Sequence, residues 1–223
     1  MALLLRAPRA VAFDLDGTLI DSKGDIAAAC NRALAAVGRA PLDIEVIASF
    51  VGDGARVLLA RALALPPDDA LVDRGLAAFH PIYEAASAVH TTLLPGAIAL
   101  MDALAHVPLA LVTNKPRGAT LAVLKAFDID ARFAFIRAGT DGPLKPDPRA
   151  VKDALDAIGV APADAWMVGD AEQDVRAGRA AGCATIVVRG GFQSAARVEA
   201  SKPDLIVDSL LDLISLLATL EAR

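Results

Sequence analysis

The sequence predicts an α/β fold, a Rossmann-like parallel sheet covered by helices on both faces, with an inserted α-helical cap. Three observations carry this reading. Short β-rich apolar runs recur along the 223 residues, and helical patterns separate them, the alternation expected of βαβ units. That alternation is interrupted once, by roughly ninety residues without a clear strand, far more than an ordinary βα connection needs. The interruption follows a run that ends in two carboxylates and a turn, Phe13-Asp14-Leu15-Asp16-Gly17-Thr18.

The first strand is expected over Ala10–Leu15. Side chains alternate along a strand, so Asp14 and Asp16 begin on one face, where they repel unless a cation or a shared proton holds them. Simple strand-end capping is the alternative, but it leaves the immediate Gly17-Thr18 turn unexplained. Asp21 and Ser22 stand at the entrance to the insertion and either help it move or cap the helix that follows; capping is the simpler reading. Within the insertion, Ile26, Ala29, Cys30, Ala33, Leu34 and Val37 share one helix face, and Val51, Ala55, Leu58, Leu59 and Ala62 share another. Pro66-Pro67-Asp68-Asp69 marks a break and a new helix start. Leu71–Ala88 is helical in pattern, with Pro81 expected to kink it or begin a new helix.

Pro95-Gly96 returns the chain to the sheet. A helix carrying Ile98, Met101 and Leu104 precedes a strand at Leu109–Thr113, and further strands are expected at Phe133–Arg137, Ala165–Val168, Thr185–Val188 and Asp204–Val207. Val151, Ala154, Leu155 and Ile158 mark one connecting helix. Asp174–Ala181 marks another, closed by Gly182 as C-cap. Ser209–Leu220 reads as an amphipathic helix packed on the sheet. The core is therefore assigned to residues 1–21 and 93–223 and the cap to residues 22–92. An insertion after the first strand overlies the edge of an open sheet where ligands bind, so it is expected to act as a lid.

Composition narrows the partners. With 22 Lys and Arg against 27 Asp and Glu, the formal net charge is −5, and no basic block suggests nucleic acid. An anionic substrate remains compatible, because a local cation can reverse the field inside a cleft. Cys30 and Cys183 lie far apart and outside any metal-binding or redox spacing, and are expected as buried thiols in a reducing compartment. The Met1–Arg6 run is too short for a signal peptide and the C-terminal run too short and interrupted to span a membrane. A cytoplasmic protein is expected; no feature specifies its oligomeric state. His80, His90 and His106 lack metal-ligand spacing, and Trp166 is expected to pack rather than recognise.

The remaining polar residues fall where strands end. Thr113-Asn114 closes the second core strand, Lys145 sits in the loop Gly142-Pro-Leu-Lys-Pro-Asp-Pro148, and Gly169-Asp170 precedes Asp174 by one helical turn. Singly, Thr113 reads equally as a helix cap, Lys145 as a surface lysine, and Asp170 and Asp174 as helix N-terminal acids. Taken in order, Asp14-Leu-Asp16-Gly-Thr18, Thr113-Asn114, Lys145-Pro and Gly169-Asp170-x-x-x-Asp174 resemble the four motifs of the haloacid dehalogenase superfamily. Phe13–Ser22, Ala27–Leu34 and Val51–Ala55 are in turn similar to its phosphoglycolate phosphatases.

The resemblance implies a fold and a chemistry. Asp14 is the expected nucleophile, forming an aspartyl-phosphate that divides one hard step into two. Asp16 is the expected general acid and then base, hydrogen-bonded by Thr18. Mg2+ is the implied cofactor, held by the carboxylates of Asp14 and Asp170 and the backbone carbonyl of Asp16, with Asp174 as a supporting anchor or occasional ligand. Lys145 is expected to neutralise Asp14 and the transferring phosphoryl group, while the Thr113 hydroxyl and the Asn114 backbone N–H bind phosphate oxygens. Dehalogenases and phosphonatases of the superfamily lack an aspartate at the position of Asp16; phosphonatases also use a cap lysine, whereas Lys23 reads here as solvated. Phosphomutases keep both aspartates.

Substrate choice is assigned to the cap turn Gly52-Asp53-Gly54-Ala55-Arg56, whose backbone N–H groups or Arg56 would meet the carboxylate of a small phosphorylated acid. A plain helix-joining turn with a solvated arginine is the alternative. The expected activity is Mg2+-dependent hydrolysis of a small phosphorylated metabolite, 2-phosphoglycolate first. A sugar-phosphate phosphatase, a phosphomutase, a pyrophosphatase and, from another class, a phospho-accepting signalling domain remain open.

Overall fold

The computed structural model describes residues 5–221. Met1–Leu4 lie outside the described residues, and with them most of the N-terminal apolar run. The chain opens with β1 (Ala10–Phe13) and a two-residue strand β2 (Ile20–Asp21). Four helices follow: α1 (Lys23–Ala36), α2 (Ile44–Ala48), α3 (Ala55–Leu63) and α4 (Ala70–Ala85). β3 (Thr92–Leu93) returns antiparallel to β2, pairing Ile20 with Leu93 and Asp21 with Thr92. This two-stranded ribbon is the stem from which the helices rise. Its strands are too short to show a period, and neither they nor α2 were expected.

The rest of the chain alternates as the pattern requires. It runs α5 (Ala97–Ala103), β4 (Leu109–Val112), α6 (Arg117–Ala126), β5 (Phe135–Arg137), α7 (Arg149–Ala157), β6 (Ala165–Gly169), α8 (Glu172–Ala181), β7 (Ala184–Val188), α9 (Ala195–Ala200), β8 (Leu205–Val207) and α10 (Leu210–Glu221). Six strands form one parallel sheet in the order β5-β4-β1-β6-β7-β8. The chain builds outward from β1 through β4 and β5, then crosses back to β6 on the other side. That reversal places the sheet's switch point beside β1, where open α/β sheets bind ligands.

Two apolar clusters face opposite sides of the sheet. One collects Phe13, Leu100, Leu111, Trp166 and Leu213, and takes in α5 and α10. The other collects Ala12, Val112, Val151, Leu155 and Met167 under α7 and α8. The insertion has a cluster of its own, with Cys30, Leu34, Ile47, Leu59, Phe79 and Tyr83, joined by Ala119 from α6. Asp69 caps α4 by accepting the Leu71 N–H, as the Pro-Pro-Asp-Asp break suggested. Pro81 lies inside α4, which continues through it rather than restarting. Val51 belongs to the turn before α3, not to its face. Gly182, in left-handed backbone, ends α8 with its N–H on the Arg179 and Gly178 carbonyls. Among the described residues, no helix is long and apolar enough to cross a membrane. Both cysteines are buried free thiols, their pKa values pushed up by burial to about 11 for Cys30 and about 12 for Cys183.

Candidate active site

Parallel pairing aligns the strand ends. The Asp14 N–H donates to the Val168 carbonyl at 2.9 Å and the Thr113 N–H to the Arg137 carbonyl at 3.0 Å, so each ladder runs one residue past its strand. Asp14, Thr113 and Asp170 therefore stand on one rim. Gly17 turns the chain back with φ +85°, and a Cβ there would meet Asp170 Oδ2 at 2.5 Å. Only glycine accepts both the backbone angle and that approach.

The rim gathers Asp14, Asp170 and Asp174, whose carboxylate oxygens lie within 4.8 Å of one another, all three buried. Lys145 Nζ stands 2.7 Å from Asp14 Oδ1 and 2.6 Å from Asp174 Oδ1. The second Asp174 oxygen accepts the Ala171 N–H at 3.1 Å, and Asp170 Oδ2 accepts the Phe192 N–H at 2.7 Å. The Lys145 loop is itself held by the Asn114 side chain, which donates to the Lys145 carbonyl at 2.9 Å and accepts its N–H at 2.8 Å. Sequence reasoning assigned Asn114 only its backbone N–H; the side chain is what fixes the lysine.

Charge explains what this cluster lacks. Burial raises the pKa of Asp14 to about 6 against the pull of Lys145, and burial with the neighbouring Asp174 and Asp14 raises Asp170 well above its ordinary value. Burial disfavours the charge on Lys145, yet Asp14 and Asp174 hold its pKa above its ordinary value. Three carboxylates face one ammonium, so the ionised cluster carries two negative charges in excess. An all-oxygen donor set with that excess fits a hard divalent cation.

Asp16 lies outside this cluster. Its Oδ1 accepts from Ser22 Oγ at 2.5 Å and Lys115 Nζ at 2.8 Å, and Lys115 also donates to the Tyr83 hydroxyl. Two expectations change here. Thr18 does not reach Asp16; its hydroxyl is directed at Asp170 Oδ1, 3.5 Å away, because the Gly17 turn carries it toward β6. Ser22 occupies the N-cap position of α1 but makes no capping bond, its hydroxyl being taken by Asp16; Asp21 accepts the Lys23 N–H at 3.1 Å instead.

Both groups open into one cavity between sheet edge and insertion, enclosing about 640 Å³ counting its open mouth. The core lines it with Asp14, Asp16, Thr113, Asn114, Lys115, Lys145, Asp170 and Asp174, and the insertion with Ile26, Val51, Gly52, Gly54, Leu58, Phe79 and Tyr83. Of the turn Gly52-Asp53-Gly54-Ala55-Arg56 singled out in the sequence, Gly52, Gly54 and Ala55 reach the cavity. The Gly52 carbonyl accepts from the Asn114 amide at 2.7 Å, and Asp53 Oδ1 accepts from Gln173 Nε2 at 2.5 Å while Oδ2 pairs with Arg61 at 2.6 Å. Arg56 turns away: its guanidinium donates to the Pro67 carbonyl at 2.8 Å and pairs with Asp73 at 2.8 Å, half exposed. It lies on the outer side of α3, so its side chain serves the cap and not the cavity.

Lys23 sits 5.7 Å from the Phe192 ring centroid. Trp166 is buried, with Nε1 donating to the Arg6 carbonyl, a packing residue as expected. Lys115, Tyr83 and Gln173 were missed. The signal for Lys115 was its place directly after Thr113-Asn114, at the same strand end.

A family model of haloacid dehalogenase-like hydrolases matches residues 8–182. A phosphoglycolate phosphatase of Pseudomonas putida is 39% identical over 93% of this chain and 79% of its own length. One from Chromobacterium violaceum is 38% identical over 96% of this chain and 98% of its own. A crystal structure from Haemophilus somnus, described as a predicted phosphoglycolate phosphatase, superposes with a TM-score of 0.85 at 28% identity, covering 95% of this chain and 99% of that one.

Proposed function

The chain belongs to the haloacid dehalogenase-like hydrolases as a phosphoric monoester hydrolase, and from that premise we propose that it hydrolyses 2-phosphoglycolate to glycolate and phosphate with Mg2+, through an aspartyl-phosphate on Asp14. One observation carries the assignment of roles. Two carboxylates of a single turn have opposite surroundings, Asp14 on Lys145 within the acidic cluster and Asp16 on Ser22 and Lys115 outside it. Carboxylates held in different environments take different roles.

In the first step a carboxylate oxygen of Asp14 bonds to phosphorus as the ester P–O bond breaks. Asp16 delivers a proton to the departing alkoxide, which leaves as the alcohol. In the second, Asp16 takes a proton from water, the water oxygen bonds to phosphorus, and the bond to Asp14 breaks to release phosphate. Lys145 balances charge on Asp14 and on the equatorial phosphoryl oxygens, and Thr113 and Asn114 bind those oxygens from the neighbouring strand end. Mg2+, held by Asp14 and Asp170 with the Asp16 carbonyl and supported by Asp174, would supply the positive charge that the cluster lacks. The helices of residues 22–92 act as the lid that excludes bulk water over the core of residues 1–21 and 93–223.

The test is phosphate release with Mg2+ across small phosphorylated acids and sugars. A highest kcat/KM on 2-phosphoglycolate supports the reading. A clear preference for sugar phosphates removes the substrate and keeps the mechanism. A long-lived phosphoprotein without phosphate release overturns the mechanism as well.

A further inference from the structure

The cavity raises a question of charge that the acidic cluster does not answer. A phosphorylated acid brings a carboxylate in addition to its phosphate. Among the described residues, only Lys115 and Lys145 carry a positive charge in the cavity wall. Lys145 is enclosed by Asp14 and Asp174 at 2.7 and 2.6 Å and belongs to the phosphoryl end. Arg56, the cation expected to read the substrate, is committed to Asp73 and Pro67 on the outside of the cap.

Lys115 is placed differently. Its side chain is 1% exposed, it lies at the end of β4, and its Nζ touches Asp16 Oδ1 from the core and the Tyr83 hydroxyl from α4. Its ammonium also lies 4.4 Å from the centroid of the Tyr83 ring. An ammonium has three donors, and Asp16 and Tyr83 take two. The third is left for a ligand. The leaving oxygen of a phosphoester lies at Asp16, the group that protonates it, and Lys115 Nζ is only 2.8 Å from that carboxylate. A substituent one carbon from the ester oxygen therefore arrives at the lysine.

The geometry points to Lys115 as the specificity-determining residue, a cation that selects phosphomonoesters with a carboxylate on the carbon attached to the ester oxygen. The inference rests on the phosphatase reading above and moves substrate choice from the cap turn to the core strand end. Tyr83 completes the position: it fixes the ammonium from the cap side and walls the site with an aromatic face. The arrangement selects by charge. A neutral substituent can still accept the third donor through a carbonyl oxygen, but it brings no negative charge to the buried ammonium.

The experiment compares 2-phosphoglycolate with its uncharged carboxamide, phosphoglycolamide, in the unaltered protein and in Lys115→Gln and Lys115→Arg. The unaltered protein is expected to favour the acid by about 30-fold or more in kcat/KM. Lys115→Gln is expected to bring that ratio to within about 3-fold of unity, and Lys115→Arg to restore most of it. A lysine acting only through Asp16 would slow both substrates alike and leave the ratio intact, which overturns the inference. So does a ratio near one in the unaltered protein with both substrates turned over, a measurement that needs no variant to fold. Failure to hydrolyse any phosphomonoester, p-nitrophenyl phosphate included, instead removes the phosphatase reading and the inference with it.

Discussion

The rim of the sheet and the underside of the cap face each other across one cavity and are built on opposite principles. The rim is charged and buried: Asp14 follows β1, Asp170 follows β6, Asp174 lies in the first turn of α8 and Lys145 in the loop before α7, and ion pairs and backbone hydrogen bonds tie them together. The cap side is apolar, with Ile26, Val51, Leu58 and Phe79, and its side-chain hydrogen bonds to the core run through Ser22, Gly52, Asp53, Tyr83 and Ser87. Groups that must carry charge through a reaction need a preorganised scaffold, which a central sheet with its hydrogen-bonded strand ends provides. The lid proposed for residues 22–92 needs shape and the freedom to leave, for which apolar contact with few hydrogen bonds is suited. Chemistry and access can therefore be altered separately, and mutation of each side should show it.

The largest effect belongs to the rim. Asp14→Asn is expected to lower kcat for phosphate release at least about 10⁴-fold while the melting temperature changes little, since the amide fills the same space. A variant that retained a tenth of the activity would break the division. Next, Lys145→Met leaves Asp14 and Asp174 facing each other in a buried site. It should cost about 3–5 kcal/mol of stability, read by denaturant unfolding, and reduce kcat by about 10²–10³-fold.

The excess negative charge predicts the third effect. Mg2+ at one hundred times its dissociation constant should stabilise the fold by about 2.7 kcal/mol, and Asp170→Asn should remove most of that gain in a thermal melt. No shift on adding Mg2+ would deny the rim its role as a cation site.

Changes to the cap should be milder. Asp53→Ala removes the acceptor for Gln173 and is expected to raise KM a few-fold, about 1 kcal/mol, with kcat nearly unchanged. The smallest effect sharpens the comparison most. Arg56→Ala should alter KM for 2-phosphoglycolate less than about 2-fold, because an exposed pair such as Arg56 and Asp73 contributes little. A ten-fold rise would bring the arginine back into the cavity and the cap back into recognition.

Much of this was legible in the sequence. All six core strands lie where apolar β-rich runs were read, and the motif residues Asp14, Thr113, Lys145, Asp170 and Asp174 do meet at one edge. Some of what escaped had no period to read: the Ile20–Asp21 and Thr92–Leu93 ribbon, with two residues to a strand, and the single-turn-scale α2; α6 and α9 were implied by the alternation of strands and helices but not located. Hydrogen-bond partners escaped too. Thr18 was paired with Asp16 on sequence proximity, but the Gly17 turn sends it to Asp170, 152 residues away. Ser22 looked like a helix cap because capping is local, and the nearer acceptor in space was the Asp16 carboxylate.

Residue pattern alone was enough for the six core strands, most of the helices, their order and the placing of charged residues after strands, because periodicity, turn residues and strand-end position are properties of short segments. The pairing of those charges was decided only by the folded chain. Strand order sets Asp14 beside Asp170 and Lys115, past β4, on Asp16, past β1 and 99 residues back, while the docking of α4 on the sheet edge sets Tyr83 on Lys115, 32 residues on. Electrostatics acts through distance in space, and that distance is fixed by packing of the whole molecule rather than by separation along the chain.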